Sequence, residues 1–229
     1  MKRLSLLVLL LGGCTLPGKP REISLEGQPS KIEDFEVLYR DNCAGCHGEA
    51  GRGGPALGLA NPVYLAIADV ETVRRLTADG VPGTSMPAFA ASAGGTLTPR
   101  QLDVLARGTH ARWSSPAALA GAAPPPYAGP TGEPTSGAAV FASACASCHG
   151  ADGSGGAKSR SIVDGSYLAL VSPQGLRTLL IAGRPDIGQP DWRGDVAGSP
   201  LSSQQIADVV AWLMSHRPAS SGEPSTSSP

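Results

Sequence analysis

One short pattern occurs twice and limits what this chain can fold around. Cys43-Ala44-Gly45-Cys46-His47 returns, 102 positions later, as Cys145-Ala146-Ser147-Cys148-His149. Together the two copies take four of the five cysteines and two of the four histidines. Zinc asks for four ligands on a tetrahedron, whereas each copy offers at most three, two of them on adjacent residues. A dithiol redox motif belongs at a strand-to-helix turn of an α/β fold, and no strand pattern is visible around either copy. What fits is covalent porphyrin attachment. Two thiols three positions apart on one turn reach both vinyl groups, and the following histidine supplies the proximal nitrogen to iron. The expectation is two covalently bound haem c groups, held by Cys43 and Cys46 and by Cys145 and Cys148, with His47 and His149 as iron ligands.

Composition points the same way. Only 4% of the 229 residues are aromatic, while there are 30 Gly and 21 Pro. A single large core would use more bulky side chains; two small domains, each wrapped around an apolar cofactor, need fewer. The formal charge of −1 leaves no nucleic-acid footprint.

The chain opens with Met1-Lys2-Arg3 and an apolar run from Leu4 to Leu11 broken by Ser5. That run is too short to span a bilayer and reads as a signal peptide, residues 1–13. It ends Leu11-Gly12-Gly13-Cys14, which resembles the lipobox of bacterial lipoproteins. Cys14 is the one cysteine outside the repeated pattern, and lipidation gives an exported thiol a purpose. The resemblance implies a protein lipid-anchored in the bacterial envelope, on the periplasmic or extracytoplasmic side. Residues 14–30, with three prolines, read as a tether.

In residues 31–113, Phe35, Leu38 and Tyr39 have helical spacing and lead into the first cysteine pattern. Glycines follow, then Pro62 with Tyr64 and Leu65, and a short helix near Val70–Ala78. The segment Gly80-Val81-Pro82-Gly83-Thr84-Ser85-Met86-Pro87-Ala88-Phe89 cannot be helical and holds Met86 on a loop. Thr98-Pro99-Arg100-Gln101 is a capping box that starts a last helix with Leu102, Leu105 and Ala106 on its apolar face. His110, near the end of that helix, reads as solvated. With these segments in this order the chain resembles class I cytochromes c. The resemblance implies an all-α fold, with Met86 as the sixth ligand of the first haem.

Residues 114–136, rich in Ala and Pro, read as a semi-rigid linker. Residues 137–217 repeat the first domain: four glycines match at an offset of 102, Tyr64/Tyr167, Leu76/Leu179 and Gly80/Gly183 at 103, and Gln101/Gln205 at 104. This is an internal duplication, so two tandem cytochrome c domains are expected. Two departures stand out. The aromatic that the last helix carries in this family is Trp212 in the second repeat but Gly108 in the first, which predicts a weaker helix contact there. And the partner of Met86 is Gln189. Three readings remain for the second haem: Gln189 ligates through its side-chain oxygen; the iron is five-coordinate or holds water; or Met214 or His216 reaches it from the last helix. For Met214 core packing is the plainer role, and for His216 solvation. Residues 218–229, Ser- and Pro-rich, read as a disordered tail.

What the resemblance implies is one-electron transfer by an electron carrier, with a quinol-oxidising complex as donor, an oxidase or another cytochrome as acceptor, and no nucleic-acid partner. The alternative is a haem enzyme, reducing peroxide or oxidising a sulfur compound at a weakly ligated second haem. Arg184, Asp186, Asp191 and Arg193 are the charged groups near that site, paired or solvated under the first reading.

Overall fold

Helix starts are written into both halves of the chain, and the computed structural model, which describes residues 28–194 and 200–218, places helices behind each of them. The signal peptide, Cys14 and the tail from residue 219 lie outside the described residues. Asp34, Asn61, Asp69 and Thr98 cap α1 (Phe35–Asn42), α3 (Pro62–Ile67), α4 (Val70–Asp79) and α5 (Pro99–Trp113) through side-chain oxygens. Asp164, Ser172 and Ser202 do the same for α8 (Gly165–Leu170), α9 (Pro173–Ala182) and α10 (Ser203–Ser215). Both capping boxes are closed. Between them lie α6 (Pro134–Ala144) and the single turns α2 (Ala44–His47) and α7 (Ala146–His149), which carry the cysteine patterns. Helix α6 starts at Pro134 rather than at Gly137, because proline suits the first helical turn. Among the described residues there are isolated β-bridges but no strand. The described residues form an all-α fold of two similar helical halves.

In each half the helix before the cysteine pattern crosses the last helix: α1 on α5, and α6 on α10. Gly108 does not leave the first crossing weak. A Cβ there would lie 2.2 Å from Cδ2 of Phe35, so the ring of α1 fills the space that glycine leaves on α5. The second crossing is the reverse. At the position matching Phe35 stands Gly137, and a Cβ on it would lie 2.8 Å from Cβ of Trp212 and 2.0 Å from the main-chain oxygen of Asp208. Aromatic and glycine have changed places between the two helices.

The indole that Gly108 cannot supply comes from Trp113, at the end of the same helix. It stands edge-on to Tyr39 and Phe35, with centroids 5.1 and 5.7 Å away. Its tip reaches Gly51, where a Cβ would lie 3.0 Å from Cη2. Trp212 stacks on Phe141 at 4.2 Å and its tip reaches Gly153, the repeat of Gly51, at 3.2 Å by the same measure. Two tryptophans that do not align in sequence thus fill one role in space.

The halves are docked, not merely tethered. One apolar cluster joins Val63, Tyr64, Leu65 and Ala106 of the first to Ile181, Trp192 and Ile206 of the second, with Leu119 and Tyr127 of the connecting segment packed against it. Asn61 stitches this interface. Its Oδ1 caps α3, accepting from the amides of Val63 and Tyr64 at 2.9 and 3.2 Å, and its Nδ2 donates to the carbonyl of Ala182, at the end of α9, at 2.8 Å. Arg184 Nη2 donates to the carbonyl of Gly54 at 3.0 Å.

The connecting segment is equally fixed. Arg177, 4% exposed, donates to the carbonyls of Pro126, Tyr127, Ala128 and Ser203 and to the Ser203 hydroxyl, all neutral acceptors. Its equivalent in the first half, Arg74, pairs with Asp103 at 2.6 Å. The position matching Asp103 is Ala207, and the guanidinium freed of its carboxylate holds the linker instead. At the other end, the last of the stretch read as tether is held too: Gln101 Nε2 donates to the carbonyls of Pro29, within it, and Ile32, just past it, at 2.8 and 3.0 Å.

Candidate haem sites

Each cysteine pattern follows a helix that stops at its first cysteine and resumes as one turn ending in histidine, so that three donor groups leave a single turn. The turns leave Cys43, Cys145 and Cys148 half-buried and Cys46 exposed. Burial pushes the Cys43 thiol up to about 12, with Cys46 beside it adding to the effect, and the Cys145 thiol to about 11, aided by Cys148. A thiolate is costly in such a place, whereas a neutral thioether carries no charge to desolvate.

The histidines are prepared in the same sense. Burial lowers the proton affinity of His47, although its bond to the Leu57 carbonyl works the other way, and burial lowers that of His149. Both shifts favour the uncharged ring. His47 Nδ1 lies 2.7 Å from the Leu57 carbonyl oxygen, an acceptor only, so Nδ1 carries the proton and Nε2 keeps its lone pair. His149 Nδ1 lies 2.9 Å from Ser159 Oγ. Two thiols beside an imidazole that keeps Nε2 for a metal are the donor set that covalently held haem requires.

The loops that carry Met86 and Gln189 begin with the same device. Gly80 and Gly183 have φ of +69° and +66°, and a Cβ on either would fall 2.6 Å from the Pro87 or Pro190 main chain, so only glycine lets the loop fold back there. Beyond that the loops differ. In the first, the Val81 amide donates to the Met86 carbonyl at 3.0 Å and the Met86 amide to Thr84 Oγ at 3.2 Å, with Met86 half-buried. In the second, Arg184 and Gln189 exchange both main-chain bonds at 3.0 Å, and the Gln189 side chain donates its Nε2 to the Leu179 carbonyl at 3.3 Å. That leaves Oε1 as the free end of the amide.

The four charged groups of this loop are paired. Arg184 binds Asp186 at 2.7 Å besides Gly54, and Arg193 binds Asp191 and reaches the carbonyls of Ala118 and Leu119. The side-chain bond to Arg184 holds Asp186 below the usual carboxylate range. Of the alternative ligands, Met214 packs with the cluster of Leu168, Val209 and Leu213 and lines a cleft with Gly129–Gly132 of the linker. His216 is exposed, its Nδ1 2.9 Å from the Trp212 carbonyl. His110 is not merely solvated: its Nε2 donates to the Ala68 carbonyl at 2.9 Å and ties α5 to the end of α3. Sequence reading missed Asn61, Arg177 and Ser159; a signal existed only for Asn61, as a cap before Pro62.

Two family models match the chain in tandem. That described as cytochrome c oxidase, cbb3-type, subunit III matches residues 30–107, and that described as cytochrome c matches residues 134–217. A curated relative, cytochrome c55X of Paracoccus denitrificans (strain Pd 1222), is 35% identical over 92 residues, 39% of this chain and 79% of that protein. Among solved structures, the KustC0563 c-type cytochrome matches with a TM-score of 0.31 at 23% identity over 36% of this chain and 99% of that one. The Kuenenia stuttgartiensis reducing HAO-like protein complex Kustc0457/Kustc0458 matches with a TM-score of 0.45 at 18% identity, over 87% of this chain and 99% of that one.

Proposed function

Because the chain belongs to the c-type cytochromes, whose domains bind haem c covalently, transfer electrons and normally lie outside the cytoplasm, we propose that it is a two-haem carrier held to the envelope membrane through Cys14. In this reading Cys43 and Cys46 would carry the first haem, with His47 and Met86 as its iron ligands. Cys145 and Cys148 would carry the second, with His149 as an iron ligand and Gln189 at the loop position. Bound haem supplies a one-electron ferric/ferrous couple. The chain's part is to hold each group in one orientation and to keep the proximal Nε2 unprotonated. Electrons arrive from a quinol-oxidising complex and leave to an oxidase or another cytochrome.

The observation that supports this most is the pair of imidazoles, each with Nδ1 engaged and its proton affinity lowered by burial, on turns that also present two thiols. Acid–acetone extraction of denatured protein tests it. Two haems per chain should stay on the polypeptide, and recovery of one or none sinks the reading. A second reading rests on Gln189, which puts an amide where the first loop has a thioether. Carbon monoxide should then bind the reduced second haem readily, and peroxide turnover should exceed exchange with a soluble cytochrome. Fast exchange without turnover favours the carrier.

A further inference from the structure

The two proximal histidines are held by different atoms. At an offset of 102 from Leu57, whose carbonyl accepts from His47, stands Ser159. The carbonyl of Ser159 is already engaged: it accepts from the Gly156 amide at 2.9 Å, beside the bridge between Gly155 and Arg160. The hydroxyl takes its place. Ser159 Oγ lies 2.8 Å from the Cys148 carbonyl oxygen and 2.9 Å from His149 Nδ1. A hydroxyl has one proton to give. The Cys148 carbonyl can only accept, so the proton goes there, and the oxygen lone pairs then accept His149 Nδ1–H. The ring is fixed with Nε2 bare by a side chain, where the first repeat uses main chain.

We propose that Ser159 is a positioning residue that sets how strongly His149 donates to the second haem iron, and so sets that haem's reduction potential. The inference rests on the reading that His149 is an iron ligand. An acceptor on the far nitrogen raises the basicity of a metal-bound imidazole, and a stronger acceptor raises it more. An alcohol oxygen accepts less strongly than an amide carbonyl, so His149 donates less than His47 and its ferric iron gains less. Ser159 therefore works against Gln189: the missing thioether lowers the second potential, and the weaker acceptor raises it. Being a side chain, this acceptor is open to substitution, whereas the Leu57 carbonyl is not.

The test uses the holoprotein with two haems per chain verified first; a wild type holding one haem would overturn the two-haem reading and this inference with it. Ser159→Asp supplies an ionised acceptor and should shift the second haem toward ferric by about tenfold, which for one electron is 59 mV. Ser159→Ala should move it the other way, Ser159→Thr should restore the wild-type value, and the first haem should not respond to any of them. The iron–imidazole stretching frequency of the ferrous second haem should rise in Ser159→Asp and fall in Ser159→Ala. Should Ser159→Ala lose its haem, Ser159→Asp and Ser159→Thr decide alone. Unmoved potentials, or Ala and Asp shifting in one direction, would overturn the proposal.

Discussion

Replacing Asn61 tests whether the two domains are held by the bond drawn between them. Asn61 is 8% exposed and does two things at once: it caps α3 and donates to the end of α9. Asn61→Ala removes both. Loss of the cap costs about 1 kcal/mol. Ala182, 2% exposed at the last turn of its helix, then has a carbonyl with neither intrahelical partner nor water, a loss of about 1–3 kcal/mol. The sum, roughly 2–4 kcal/mol, should lower the urea midpoint by about 1 M for a slope of about 3 kcal/mol per molar. Asn61→Asp separates the two parts. The acceptor that caps α3 survives, but an oxygen now faces the Ala182 carbonyl and repels it. Its midpoint should fall by at least the docking share, and amide exchange should quicken at the end of α9 before it does in α1 or α5. Equilibrium unfolding followed by haem absorbance and by far-UV ellipticity measures both. If Asn61→Asp unfolds within about 0.2 M of wild type, the bond to Ala182 does not hold the interface and the reasoning is wrong.

Three further outcomes are expected. Gln189→Met should raise the potential of the second haem and Met86→Gln should lower that of the first, since thioether sulfur favours ferrous iron; a redox titration in which neither substitution moves its own haem would contradict the role given to these two positions. Gly137→Ala should cost about 3 kcal/mol in thermal unfolding, because its Cβ meets the main chain of Asp208, whereas Gly108→Ala meets a phenyl ring that can turn, and Phe35→Ala should relieve it in a double-mutant cycle. Cys14→Ser should release the protein from membranes, or block its maturation, with the haem spectrum unchanged; a cleaved variant still held at the membrane would argue against the lipid anchor.

The helices were legible because their signals are local. Thr98 with Gln101 and Ser202 with Gln205 mark helix starts within four residues, and a cysteine pattern needs five. Periodicity told which face of α5 is buried, but not what lies against it. Gly108 looked like a loss because its compensation, Phe35, sits on another helix, and because Trp113 supplies the indole from a position that no alignment of the repeats pairs with Trp212. Docking was invisible for the same reason. The bonds from Asn61 to Ala182 and from Arg184 to Gly54 join residues more than a hundred positions apart, and each ends on a main-chain carbonyl, which has no letter in the sequence. Arg177 was silent because its acceptors are carbonyls too, within a Pro- and Ala-rich stretch that composition alone describes as a spacer.

The exchange of aromatic and glycine between the two helix crossings bears on how a duplicated chain finds its own fold. Two pairs of crossing helices are synthesised on one polypeptide, and α1 could in principle settle on α10, or α6 on α5. The first mistake brings Phe35 against Trp212, two rings in a space for one; the second brings Gly137 against Gly108 and leaves a void. Only the correct partners present one ring and one hollow. Divergence at these two positions therefore gives each repeat a key that the other cannot turn, and guards against exchange of helices between the halves or between neighbouring molecules, the characteristic failure of tandem domains.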